Sequence, residues 1–165
     1  MRIRRGQLGF SLVELMVTLS IMAVLLMASV PFMKDWTYSR QIKDAQSKLL
    51  SAYGLAKSLA LRNPDAVQSN LTAAGLKIET SGALLQLYVC SGDPGSGNCA
   101  SSGSSLLWSA NFPSAVELTL GGTSVSGASA TTVSLNNRAV PTSGTVLSYT
   151  LTVSGSAYDA SGSLL

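Results

Sequence analysis

Hydrophobic and polar positions divide the chain into stretches with different periodicity. Residues 15–30 contain no charged side chain and only three polar ones, which predicts a helix that is apolar on all sides and long enough to span a bilayer. Across 42–60 the apolar residues recur at spacings of three and four among charged ones, as in an amphipathic helix. Asn63-Pro64 is the predicted stop. The pattern therefore predicts one helix from about residue 11 to 62.

Beyond residue 75, apolar residues recur at every second position. Apolar and polar residues alternate most clearly in three runs, 85–89, 116–120 and 147–153, and this alternation predicts half-buried antiparallel strands. Weaker strand signals occupy 106–108 and 132–135, with turns predicted at 121–122 and 136–137. The Gly/Ser/Thr/Ala-rich stretch 121–131 is interpreted as a solvated surface connection.

These elements predict an α+β fold. A long N-terminal helix, first membrane-spanning and then amphipathic, packs on a C-terminal antiparallel β-sheet domain. At 165 residues the chain has room for one such helix and one globular domain of roughly 100 residues.

Charge is distributed unevenly along the chain. Residues 1–62 carry nine Lys/Arg against three Asp/Glu, whereas 63–165 carry two against five. Without the first nine residues the side chains balance at eight against eight. The basic pI therefore belongs largely to the N-terminal segment, and the predicted domain lacks the clustered Lys/Arg of a strong phosphate-binding surface.

Catalytic residue types are scarce. The chain contains no histidine, the commonest general base and metal ligand, and no serine stands in a nucleophile-elbow pattern. The carboxylates beyond the helix are scattered: Asp65, Glu79, Asp93, Glu117 and Asp159. We therefore predict no enzyme, no metal site and no cofactor. Asp93 lies beside Pro94-Gly95, and its expected role is to shape a turn rather than to bind calcium.

Two cysteines, Cys90 and Cys99, enclose a turn-rich segment. Their spacing is compatible with a local disulfide, which would persist in an oxidising compartment such as the periplasm. The alternative is a pair of reduced thiols in a cytosolic protein.

Glu14 interrupts the apolar stretch near its start. A carboxylate inside hydrocarbon costs several kcal/mol unless it is paired, so such a residue is usually functional. The alternative is that Glu14 lies shallow enough to reach the lipid headgroups. Arg2, Arg4 and Arg5 precede the stretch, and arginines on this flank would stay cytoplasmic, which places the chain beyond residue 33 outside.

The string Gly9-Phe10-Ser11-Leu12-Val13-Glu14-Leu15 resembles the prepilin cleavage motif of type IV pilins and type II secretion pseudopilins. The resemblance implies that a membrane peptidase cuts after Gly9 and that Phe10 becomes the N-methylated first residue. It further implies that Glu14 pairs with the N-terminal amine of an adjacent subunit, so that two charges neutralise each other only in register. Pro31 matches the proline that bends the family helix.

The resemblance also implies an organisation for the whole chain. Residues 1–9 form a cleaved basic leader, 10–33 the transmembrane and filament-core helix, 34–63 an amphipathic helix, and 64–165 an extracytoplasmic β-rich domain. The expected location is the inner membrane, with the N-terminus cytoplasmic and the domain periplasmic, and then a pilus or pseudopilus. The expected partners are other pilins or pseudopilins, the prepilin peptidase and inner-membrane lipid.

Within the family, the helix end, the following strand signal and the short Cys90 to Cys99 loop ahead of Trp108 resemble the GspH, FimT and FimU type of minor pilins. The implied function is that of a minor pilin or pseudopilin in a type IV pilus or type II secretion pseudopilus. The alternative is a DNA-binding or adhesive tip pilin. Some FimT-like members bind DNA through a basic tail, whereas residues 158–165 contain no arginine, so DNA is a weakly supported partner.

Overall fold

The structure, a computed structural model, describes residues 10–82, 84–125, 130–143 and 147–164. One long helix is followed by two antiparallel four-stranded sheets, which confirms the predicted α+β fold. The helix α1 spans Leu12–Arg62. The strands are β1 Thr72–Ser81, β2 Leu84–Ser91, β3 Leu106–Asn111, β4 Val116–Leu120, β5 Thr123–Val125, β6 Thr131–Asn136, β7 Leu147–Val153 and β8 Asp159–Leu164.

The chain divides into two compact units, Met1–Thr37 and Tyr38–Leu165. In the first unit the described residues from 12 onward are helical, and the described side chains are exposed. The leader 1–9, with the arginines and Gly9 of the predicted cleavage site, lies outside the described residues.

The second unit contains both sheets. One sheet has the strand order β3-β2-β1-β6 and the other β5-β4-β7-β8, and all the pairings are antiparallel. At the centre of the first sheet, Gly75 of β1 stands opposite Cys90 of β2 and Ser134 of β6.

The core of this unit forms because one face of α1 and the inner positions of both sheets are apolar. The helix residues recur every three or four positions, as the sequence predicted. Those of α1 that are buried are Ile42, Ala45, Leu49, Ala52, Tyr53, Ala56, Leu59 and Ala60. Four of the eight are alanines. The sheets contribute Leu76, Leu87, Leu118 and Leu151, all with no exposed surface.

The helix ends where the sequence predicted. Asn63 follows Arg62 with φ +41°, a left-handed conformation that asparagine tolerates better than most residues. Its amide N–H donates to Leu59 O at 3.0 Å. Its side chain then holds the departing backbone, since Oδ1 accepts from Val67 N at 2.8 Å and Nδ2 donates to Val67 O at 2.9 Å.

The outer edge of β6 is covered by the segment 140–142. Asn136 N donates to Val140 O, and Thr142 N donates to Ser134 O, both at 2.9 Å. Leu135 forms an isolated antiparallel bridge with Pro141 between them. The edge backbone groups of β6 are therefore partly paired within the chain.

Three strands differ most from the sequence prediction. The first, β1, begins before residue 75 and is ten residues long. The stretch 121–131 is not a loop throughout, because it contains β5, in which Val125 is buried against β4; residues 126–129 lie outside the description. The third, β8, was not predicted, because its residues 159–164 are mostly small and polar and pair only with β7 at a sheet edge.

Candidate functional site

The N-terminal part of α1, up to residue 29, presents a surface that is apolar except for Glu14 and a few hydroxyl groups. Every side chain from 10 to 29 is exposed, including Phe10 at 83% and Met27 at 78%. Exposed apolar surface of this extent marks a protein or membrane contact. By length and composition, α1 can cross a membrane.

The hydroxyl groups within this surface are satisfied inside the helix. Thr18 Oγ1 donates to Leu15 O at 2.9 Å, and Ser20 Oγ donates to Met16 O at 2.8 Å. Ser29 Oγ likewise donates to the carbonyl three residues earlier at 2.8 Å. Because these hydrogen bonds satisfy the hydroxyl groups without water, they lower the cost of placing those groups in hydrocarbon.

Glu14 is the acidic residue in the first turn of α1. The helix begins with Leu15 N donating to Ser11 O at 3.1 Å, so the carboxylate lies near the positive end of the helix dipole. Within the described ranges Glu14 forms no salt bridge. The arrangement leaves one anionic group on an otherwise apolar helix surface, available to a cation from another molecule.

The other predicted N-terminal site residues stand as follows. Phe10 lies directly before the helix and is exposed, whereas Gly9 lies outside the described residues, so cleavage and N-methylation stay predictions. The helix assignment continues through the backbone of Pro31. Its side chain lies outside the description, and the bend at Pro31 stays a prediction.

The predicted disulfide is present. Cys90 and Cys99 are bonded, with Cα atoms 5.7 Å apart, and both are fully buried. The loop between them contains short turns, in which Asp93 Oδ1 accepts from Gly95 N at 2.9 Å. This hydrogen bond supports the turn-shaping role predicted for Asp93.

The disulfide loop packs on β1 through a proline. Pro94 is fully buried and lies over Gly75, where an added Cβ would be 2.5 Å from Pro94 Cγ and 2.6 Å from Val133 O. No side chain fits there without displacement of the loop or of β6. Gly75 thus permits the close approach of the loop to the sheet.

Lys77, the only lysine beyond residue 57, interacts with a neighbouring residue of β1 and with the disulfide loop. Its Nζ lies 2.7 Å from Glu79 Oε2 and donates to Cys99 O at 3.1 Å. The Tyr88 hydroxyl donates to Gln86 Oε1. Burial raises the pKa of Tyr88 above its usual value, and the negative charge of Glu79 raises it further. Burial also raises the pKa of the helix tyrosine in the core, Tyr53.

A cavity of about 570 Å³ lies in the second unit near the end of α1. Arg62 and Asp65 give it one charge of each sign, and Leu59, Leu106 and three serines line much of the remainder. No group of three or more metal-ligating side chains occurs in the ranges that the structure covers.

Sequence reasoning did not single out Trp36 as a site residue. Its side chain is 63% exposed, and it follows the first two charged residues after the apolar run, Lys34 and Asp35. An aromatic residue at the boundary of a span is the signal that would have found it, because Trp and Tyr concentrate at membrane interfaces.

The comparison with protein families bears on this helix. The family model for the prokaryotic N-terminal methylation motif matches residues 4–30. No curated protein and no solved structure matches the chain. The match covers Arg4 and Arg5 of the basic flank, Phe10, Glu14 and most of the apolar helix. Together with the exposed helix, it fits anchoring in the inner membrane and supports a type IV pilin-like protein.

Proposed function

We propose that this protein is a minor pilin or pseudopilin that assembles through its N-terminal helix into a type IV pilus or type II secretion pseudopilus. The observation that carries the proposal is the apolar surface of residues 10–29 with one carboxylate, Glu14, near its start. The methylation motif covers the same residues. As a structural subunit, the protein is processed by a prepilin peptidase and assembles with other pilins.

The mechanism proposed for assembly is axial registry, in which the helices of neighbouring subunits are aligned at a fixed offset. Removal of residues 1–9 creates a positively charged amine at Phe10, four residues before Glu14. In a bundle of apolar helices, each of these charges is costly alone, and pairing them between neighbouring subunits offsets much of that cost. Adjacent helices are therefore held at one axial offset.

The choice of the minor branch rests on the order of elements in the second unit. A long β1 leads through β2 into a central disulfide loop, and β3 follows with Trp108. The resemblance to the GspH, FimT and FimU type is based on this order of elements. The DNA-binding alternative gains no comparable support, because Lys77 is neutralised by Glu79 and Arg138 lies apart in the turn after β6.

The test is substitution of Glu14 by alanine in the full-length precursor. We expect leader removal to proceed as in the unaltered protein. The amount recovered in sheared filaments should fall at least about tenfold, because the Phe10 amine of the neighbouring subunit is left unpaired and a buried unpaired charge costs several kcal/mol. Thr18→Ala is the matched control, because it removes a polar group from the same helix without a charge. Equal recovery of the Glu14 and Thr18 variants would contradict the registry mechanism.

A further inference from the structure

The charged residues on either side of the apolar run are separated by one membrane thickness. Between Glu14 and Lys34 stand nineteen uncharged residues, 15–33, and α1 covers this whole interval. At 1.5 Å per residue, the rise from Glu14 to Lys34 is about 30 Å. The hydrocarbon core of a bilayer is also about 30 Å thick. A helix with little tilt can therefore place both charged residues at the lipid headgroups simultaneously.

The outer end of this interval carries groups suited to an interface. Lys34, Asp35 and Trp36 are consecutive and all exposed. Lysine reaches lipid phosphates, and the indole of tryptophan settles at the headgroup level. The only other tryptophan, Trp108, is partly buried against the domain core, so the exposure of Trp36 is not a general property of the tryptophans in this chain.

We propose that Lys34, Asp35 and Trp36 bind the outer headgroup layer and fix the depth of the helix in the membrane, which holds Glu14 at the inner headgroup layer. The inference rests on the proposed function, because it assumes that the subunit is stored in a membrane before assembly. It adds the lipid-contacting residues and the register. In this register the Glu14 carboxylate stays hydrated in the stored subunit and loses its water only when the subunit leaves the bilayer.

The consequence is that the cost of the unpaired carboxylate falls on assembly rather than on storage. A subunit in the bilayer is not driven to pair Glu14 with a neighbour. One drawn outward by a few residues carries Glu14 into hydrocarbon, where only a cation at the matching height offsets the cost. The depth set by residues 34–36 thus determines how far a subunit moves outward before the pairing of Glu14 with a cation becomes favourable.

The test measures the depth of Trp36 in the full-length protein, reconstituted into vesicles of phosphatidylethanolamine and phosphatidylglycerol. Lipids brominated near the headgroup or near the end of the acyl chain quench tryptophan fluorescence by contact. We expect the shallow bromines to quench at least about twofold more strongly than the deep ones. The difference should vanish in Trp36→Phe, which retains only Trp108.

A second variant tests whether the charges set the depth. Lys34→Leu with Asp35→Leu extends the apolar run to Trp36, and we expect the quenching to shift toward the deep bromines. Stronger quenching by the deep bromines in the unaltered protein, the same profile in Trp36→Phe, or no shift in the double leucine variant would each overturn the proposal.

The outcome is separable from that of the proposed function. The vesicles contain no other subunit, so the depth can be as proposed even where Glu14→Ala leaves filament incorporation unchanged. Conversely, assembly can depend on Glu14 while Trp36 lies elsewhere. Failure of the protein to float with the vesicles would overturn both the membrane storage and the depth assignment.

Discussion

The two parts of α1 share one secondary structure and differ in the surroundings for which their side chains are suited. Residues 12–29 are exposed on every side and apolar nearly throughout, whereas 42–60 bury one apolar face and expose one that is mostly polar. The difference shows that helix formation alone says little about the role of a segment. The side chains of the first part are suited to lipid or other helices on all sides, whereas the second part meets a domain core on one side and water on the other.

The comparison predicts that equal truncations in the two parts have unequal effects on domain stability. Leu49 has no exposed surface, whereas Leu25 is 65% exposed. Leu49→Ala should lower the free energy of unfolding of the domain by about 2–5 kcal/mol. Leu25→Ala should change it by less than about 0.5 kcal/mol. Denaturant titration of the full chain in detergent, followed by Trp108 fluorescence in a Trp36→Phe background, measures both.

Similar losses from the two leucine variants would break the comparison, because they would mean that the first part of α1 also supports the core. A small loss from Leu49→Ala alone would show that the core around this residue collapses to fill the space left by the truncation.

The next largest effect concerns the disulfide, which belongs to the second unit alone. Replacing Cys90 and Cys99 together with alanine should lower the free energy of domain unfolding by about 2–3 kcal/mol, because the open loop is freer in the unfolded chain. The helicity of α1, followed by circular dichroism before the transition, should be unchanged. Reductant should destabilise the unaltered protein by a similar amount and leave the double variant as it was; sensitivity of that variant to reductant would refute the assignment.

The smallest effects come from two glycines in opposite surroundings. Gly75→Ala places a methyl group against Pro94 and Val133 O and should destabilise the domain by about 1–3 kcal/mol. Gly54, on the exposed face of α1, has no atom within 4 Å of an added Cβ. Gly54→Ala should therefore stabilise by about 0.5–1 kcal/mol. Thermal unfolding of both variants checks these opposite signs. Melting temperatures that shift in the same direction in both variants would contradict the difference proposed between the two positions.

Much of the fold could be predicted from the sequence, because its strongest signals are local. The helix was expected from about residue 11 to 62 and is found at Leu12–Arg62. The bounds predicted for β4 and β7 are those observed. Periodic apolar residues and a proline stop act within a few turns or one strand, so a reader of the sequence can find them.

The features that were missed depend on partners distant in the chain. In β8, Leu164 is buried while most of its residues are exposed, so the strand exists because β7 offers a pairing edge. The requirement for glycine at 75 comes from Pro94, nineteen positions later, and from the backbone of β6. Neither strand order nor such close approaches can be derived from local periodicity.

The candidate site was predicted unevenly for a related reason. Glu14 and the two cysteines stand out because their chemistry contrasts with their neighbours. Trp36 was overlooked, because an aromatic residue beside charges is unremarkable unless its distance from Glu14 is measured along the helix.

The segment 140–142 that covers the outer edge of β6 limits which surfaces can template aggregation. A sheet edge with free backbone groups recruits strands from other molecules, and proline at such an edge opposes recruitment because it has no N–H to donate. Pro141 stands at this position. On this side of the sheet, the chain is thereby protected from pairing edge to edge with its own copies into amyloid-like stacks.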